Sequence, residues 1–399
     1  MSLFSAVPLA PRDPILGLTE AFQADTNPKK VNLGVGVYQD GTGKLPLLEC
    51  VRQAEQRLAE DPKPRGYLPI DGLPGYTKAV RELVFGADSA AVAAGRVVTV
   101  QALGGTGALK IGADFLRRFD PDAKVLISDP SWENHEALFT RAGFTVETYR
   151  YYDADARGVD FEGMLADLAA APAGTIVVLH ACCHNPTGYD LTEQQWGSVI
   201  ETVTKAGLVP FLDMAYQGFS ESLDVDGAVV RRFAETGLPV LVSTSFSKSL
   251  GLYGERVGAL SVVCADAEEA ARLLSQDKIV IRTNYSNPPT HGAQLAATVL
   301  ADPELRALWI DELGAMRDRI KSMRLRLVAG LEAAGITDMG FIATQVGMFS
   351  YSGLTKEQMV ALRERHGVYG TDKGRICVAA LNEANIDHVC AAIADVRKA

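Results

Sequence analysis

Short apolar runs recur through the middle of the chain, and each stops at a cluster of polar, chemistry-bearing residues. Arg96–Gln101 leads into Gly104-Gly-Thr-Gly107, and Ala123–Ser128 into Asp129-Pro-Ser-Trp132-Glu-Asn-His135. Thr175–His180 precedes His184-Asn-Pro-Thr-Gly188, Leu208–Asp213 precedes Met214-Ala-Tyr216, and Pro239–Thr244 precedes Ser245-Phe-Ser-Lys248. Runs of this kind read as strands, and helical stretches such as Ala108–Arg117 separate them. Strands alternating with helices predict an α/β fold around a mostly parallel sheet, because parallel neighbours need a crossover connection. Open sheets of this class bind ligands outside the carboxyl ends of their strands. The polar clusters fall where such a fold puts a site. Gly104–Gly107 reads as a turn, with the following helix starting at Ala108.

From about Asp302 the texture changes. Leu305 to about Ala334 is charged and periodic and predicts one long helix leaving the sheet domain. Gly347–Tyr351 and Arg375–Ala379 read as strands of a smaller domain. The expected division is a large domain over residues 46–310 and a smaller α/β domain from residues 1–45, with an N-terminal arm, and 311–399.

Bulk properties narrow the function classes. With 39 Lys+Arg against 49 Asp+Glu the formal charge is −10, which argues against a surface that coats nucleic acid. No apolar run approaches the ~20 residues of a membrane helix. The first residues lack the basic start and apolar core of a signal peptide, so the expected compartment is the cytoplasm. Six cysteines are scattered, and only Cys182-Cys183-His184 is clustered. Adjacent cysteines do not easily both face one ion, so packed thiols and no metal site are expected.

Lys248 lies just past a strand end among serines, with Arg256 eight positions on. An amine there suits Schiff-base chemistry beside a phosphate, provided its surroundings lower its pKa. Ser245 and Arg256 supply phosphate donors. The glycine loop reads either as a structural turn or as a phosphate cradle at a helix N-terminus. Asp213 reads as a turn former or as a carboxylate facing a protonated ring nitrogen. Tyr216 and Asn185 are able to bond a phenolic oxygen, Trp132 to stack on a ring, and Arg282 and Arg375 to clamp carboxylates through a guanidinium fork.

Seven motifs, in order, resemble class I aminotransferases: Tyr67-Leu-Pro-Ile-Asp-Gly-Leu-Pro-Gly, Gly105-Thr-Gly-Ala-Leu, Ser131-Trp-Glu-Asn-His, Cys183-His-Asn-Pro-Thr-Gly, Asp213-Met-Ala-Tyr-Gln-Gly-Phe, Ser245-Phe-Ser-Lys and Tyr253-Gly-Glu-Arg-Val-Gly. The similarity runs from about Asp13 to Val396 and is closest to the aspartate/aromatic subgroup, which depends on pyridoxal 5'-phosphate. The resemblance implies the type I fold of such transferases and a ping-pong transamination. It implies that Lys248 holds the cofactor and moves the proton, while Asp213 faces the pyridine nitrogen. Tyr216 and Asn185 bond the phenolic oxygen, Trp132 stacks, and Gly105, Thr106, Ser245 and Arg256 take the phosphate. Arg375 and Gly36, with Trp132 and Asn185, receive the substrate. Tyr67 and Arg282 come from the other subunit of a homodimer, Arg282 to pair with a distal carboxylate.

The expected substrates are tyrosine, phenylalanine and aspartate with 2-oxoglutarate; an aspartate-specific enzyme is the alternative. Ser245-x-x-Lys248 with Tyr285-Ser-Asn287 also resembles serine-acylating hydrolases, but no Lys-Thr-Gly follows.

Overall fold

The apolar runs enter one seven-stranded sheet. In the computed structural model, which describes residues 2–10 and 16–398, the strands are β1 (Val97–Leu103), β2 (Lys124–Asp129), β3 (Thr145–Arg150), β4 (Ile176–His180), β5 (Val209–Met214), β6 (Val240–Ser245) and β7 (Val257–Val263). Asp13, where the family-like stretch begins, lies outside the described residues. The order across the sheet is β1-β7-β6-β5-β4-β2-β3. Neighbours are parallel except around β7, which runs antiparallel to both β1 and β6. Every residue of β4, β6 and β7 is buried, so these strands meet water on neither face, even at Ser243-Thr244-Ser245 of β6.

The helices that carry site residues are α1 (Gly104–Phe119), α2 (Glu133–Ala142) and α3 (Ala267–Asn284), and the long helix expected from the charged stretch is α4 (Pro303–Ala333). The glycine stretch is a correction to the sequence reading: it is the first turn of α1, not a separate turn before it. Gly104, at φ +69°, carries the chain from β1 into the helix in one residue, a conformation that glycine adopts without a steric cost. Gly258 of β7 packs against it, for a Cβ there would fall 2.4 Å from the Gly104 carbonyl carbon. Asp266 caps α3 by accepting the Glu269 N–H at 2.7 Å.

One core ties sheet and helices together. Val98 and Val100 of β1, Leu109 and Ile111 of α1, Phe139 of α2, Phe211 of β5, Leu260 of β7 and Ile281 of α3 belong to it. Each fully buried side chain of this size contributes roughly 1.5–3 kcal/mol of transfer free energy.

The chain divides into two compact units. The larger holds Leu45–Lys321 and Thr344–Gly347, and with it the seven-stranded sheet. The smaller holds the residues up to Lys44, Ser322–Ala343 and those from Met348 onward. In the smaller unit Val31–Asn32 pairs in parallel with Val368–Tyr369, and Phe349–Tyr351 pairs antiparallel with Arg375–Cys377. Leu3, Phe4, Val7 and Leu9 near the N-terminus are all exposed. No helix among the described residues is long and apolar enough to cross a membrane.

Candidate active site

At the carboxyl end of β5, Asp213 is buried, and His135 Nε2 lies 2.9 Å from its Oδ2. His135 sits in the first turn of α2 and is held from behind by Ser131 Oγ, 2.9 Å from its Nδ1. Burial alone raises the pKa of Asp213. The hydrogen bond and charge of His135, with contributions from His180 and Lys248, outweigh it and hold the carboxyl below its ordinary value. His180, paired in register with Asp213 across β4 and β5, has its ring 5.0 Å from that of His135. Burial first, and then His135, push its pKa down to about 3, so it is neutral. His184 lies under Tyr151 at 3.9 Å and bonds Ser128 and Thr187, and burial drives its pKa well down.

Lys248 follows the end of β6, half-buried, with Nζ 4.8 Å from the ring centre of Tyr216. Tyr216 follows β5 and is buried, as is Asn185 in the loop after β4. Trp132 is half-buried at the start of α2 and meets His135 edge-on at 5.2 Å.

A second cluster forms where α1 begins. Ser245 Oγ accepts the Ser247 N–H at 3.3 Å, and Arg256 Nη1 reaches Ser247 Oγ at 3.4 Å and the Tyr253 carbonyl at 2.9 Å. The Arg256 carbonyl accepts the Gly104 N–H at 3.0 Å. A Cβ on Gly104 would lie 2.6 Å from Arg256 Nη2, and one on Gly105 would lie 3.3 Å from Ser245 Cβ. Gly105 and Thr106 occupy the first helical turn, whose N–H groups have no partner inside the helix. Arginine, serines and a helix N-terminus thus converge on one spot, the donor set that an anion requires.

Arg375 and Gly36 belong to the smaller unit. Arg375 is buried, donates through Nη2 to the Gly34 carbonyl at 2.8 Å and lies 4.3 Å over the Phe349 ring. Gly36 packs on the same ring, since a Cβ there would fall 2.6 Å from Phe349 Cζ. Tyr67 is 95% exposed, and Arg282, also exposed, ends α3 bonded to Ser286.

Sequence reasoning missed His135, Ser131 and Ser247 as site residues. The available signal was Ser131 and His135 four apart at a helix start, which puts both on one face. The histidines show no ligand spacing along the chain, yet His135, His180 and Asp213 offer ligand atoms within 4.8 Å of one another, as do Cys182, Cys183 and Asp226. Asp226 is already engaged, accepting the N–H groups of Gly218, Ser220 and Glu221 at 2.8–3.0 Å. Burial pushes the Cys183 thiol pKa well up, as suits an inert packed thiol.

The sequence pattern of the family described as "Aminotransferase class I and II" matches residues 28–393. The chain belongs to that family. It is 60% identical over 397 residues to the aspartate aminotransferase of Pseudomonas aeruginosa, across 99% of this chain and 100% of that one. The crystal structure of the aromatic-amino-acid aminotransferase from Burkholderia pseudomallei, covalently bound to pyridoxal phosphate, superposes with a TM-score of 0.97 at 65% identity, over 99% of this chain and 100% of that one. A psychrophilic aromatic amino acid aminotransferase from Psychrobacter sp. B6, cocrystallised with aspartic acid, gives 0.97 at 46% identity over the whole of both chains.

The chain is accordingly a pyridoxal-phosphate-dependent aminotransferase of the type I fold. Its residues fit that cofactor. A lysine amine stands at a strand end, a buried carboxylate is held ionised near it, and an anion-binding cluster opens α1.

Proposed function

We propose that this aminotransferase is a cytoplasmic homodimer that moves the amino group of tyrosine, phenylalanine and aspartate to 2-oxoglutarate. The observation that carries the reading is Lys248 at the end of β6, over Tyr216 and within electrostatic reach of the ionised Asp213. Pyridoxal phosphate, when bound, supplies an aldehyde for the amino group and a protonated ring that withdraws electrons from the substrate carbon.

The chain's own groups do the rest. Lys248 would anchor the cofactor covalently, and its amine, once freed, would serve as the base that moves the proton between the substrate α-carbon and the cofactor, a 1,3-shift. Asp213 keeps the ring nitrogen protonated by direct charge attraction, with His135 fixing the orientation of the carboxylate. Asn185 and Tyr216 donate to the phenolic oxygen, and Trp132 covers the ring. Ser245, Arg256 and the N–H groups of Gly105 and Thr106 hold the phosphate. Arg375 with Gly36 binds the α-carboxylate, and Tyr67 and Arg282 of the partner subunit complete the site.

Three considerations support the partner's share and the substrate range. Tyr67 and Arg282 are exposed on the single chain, as residues serving another subunit must be. Arginine gives dicarboxylates a bidentate partner. High identity extends to relatives named for aspartate and for aromatic substrates alike. The test is the steady-state rate with each amino donor against 2-oxoglutarate. Turnover of all three agrees with the proposal; turnover of aspartate alone overturns the aromatic part of it.

A further inference from the structure

We infer that Gln101 is the positioning residue from which both partner-directed segments hang, so that one buried side chain sets Tyr67 and Arg282 together. The inference rests on the reading above, in which those two residues serve the other subunit.

β1 is the edge strand of the sheet, so its outer N–H and C=O groups have no strand to pair with. At Gln101, 2% exposed, two other segments take them. Its backbone N–H donates to the Asp71 carbonyl at 2.9 Å, and its carbonyl accepts the Tyr285 hydroxyl at 3.4 Å. The side chain repeats the division. Oε1 accepts the Leu73 N–H at 3.0 Å, and Nε2 donates to the Pro289 carbonyl at 2.7 Å. Each segment therefore receives two hydrogen bonds from one residue, one from backbone and one from side chain.

The segments are the right ones. Asp71 and Leu73 follow Tyr67 by four and six residues, and Tyr285 and Pro289 follow Arg282 by three and seven. Gly72 fits this contact closely: at φ +103°, a Cβ there would lie 2.3 Å from Gln101 Cβ. Lys278 of α3, 3.2 Å from Asp71 Oδ1, adds an ion pair between the same segments. An amide is the one neutral side chain that offers an acceptor to one backbone and a donor to another at this length. Truncating it leaves the Leu73 N–H and the Pro289 carbonyl without partners.

Hybrid dimers of the cofactor-loaded enzyme test this, with one protomer inactivated by Lys248→Ala so that a single live site remains. With Gln101→Met on the Lys248→Ala chain, the altered segments serve the live site, and KM for aspartate should rise on the order of tenfold. With Gln101→Met on the chain that keeps Lys248, the altered segments serve the dead site, and KM should match that of the unmodified hybrid. Equal KM changes in both arrangements, or in neither, overturn the inference. Gln101→Glu provides the same comparison should Gln101→Met fold poorly, because an ionised carboxylate keeps the Leu73 contact and cannot donate to Pro289. Arg282→Ala, moved between chains in the same way, separates the two levels. If it acts on the live site of its own chain, the partner-supply reading falls, and Gln101 falls with it. If it acts across the dimer while Gln101→Met does not, only the role of Gln101 is lost.

Discussion

Asp213 and Asp277 are both buried aspartates of the larger unit, and the fold treats them in opposite ways. Asp213 ends β5 with His135 against it, and its carboxyl is held below the ordinary value. Asp277 lies midway along α3, one or two turns from the buried Ala270, Val280 and Ile281, with no exposed surface. Neither of its oxygens has a hydrogen-bond partner among the described residues, and burial pushes its pKa up to about 7. Desolvation acts in the same direction on both acids. The difference is the histidine, and it teaches that an acid at the foot of this sheet is charged because of its partner and not because of its depth.

The largest effect should come from removing the amine over Tyr216, whose charge Asp213 feels. Lys248→Ala is expected to lower transamination by about 10⁴-fold or more, read as kcat with saturating donor. Asp213→Asn keeps the shape and removes the charge, and kcat should fall by roughly 10²–10³-fold. Asp213→Glu, measured beside it, should recover part of the loss, because charge is the property at issue.

Asp277 supplies the opposite arm. Its folded-state pKa lies above the unfolded value, so its contribution to stability is full below about pH 4 and is lost as pH rises through about 7. The loss amounts to a few kcal/mol at most. Urea midpoints at pH 4 and pH 8 should show Asp277→Leu close to the wild type in acid and exceeding it at alkaline pH. A variant that is less stable at both values would mean that the carboxyl has a partner after all. For Asp213 the sign reverses, because its lowered pKa adds stability above the unfolded value, and that stability is lost as pH falls.

The smallest change is expected at the partner itself. His135→Phe removes one hydrogen bond to a charged group, which corresponds to about a tenfold loss in kcat. The pH profile should shift with it, as Asp213 becomes easier to protonate.

Much of this arrangement was legible in the chain. Strand ends were readable because apolar runs and the polar residues that close them are local features, and Lys248, Asp213 and Asn185 all stand out by that pattern, whereas Arg256 precedes β7 and was singled out by its spacing from Lys248. The start of α1 was misread because three glycines argue for a turn until Gly258 of β7 packs against Gly104. β3 escaped notice because Thr145-Val-Glu-Thr-Tyr-Arg150 forms an edge strand exposed along much of its length, with no apolar run to mark it. The His135–Asp213 contact joins residues 78 apart, and nothing local distinguishes it. Nothing in the sequence singles out Asp277, one acid among several on α3, whose first turn holds Glu268 and Glu269. Only its register with Ala270 and Ile281 turns it inward.

The visible absorption spectrum of the purified enzyme, recorded before and after L-tyrosine with no keto acid present, tests the central claim most directly. The account predicts that the aldehyde form of the cofactor converts to its amine form in a single turnover. A band left unchanged by tyrosine and then by aspartate would contradict it.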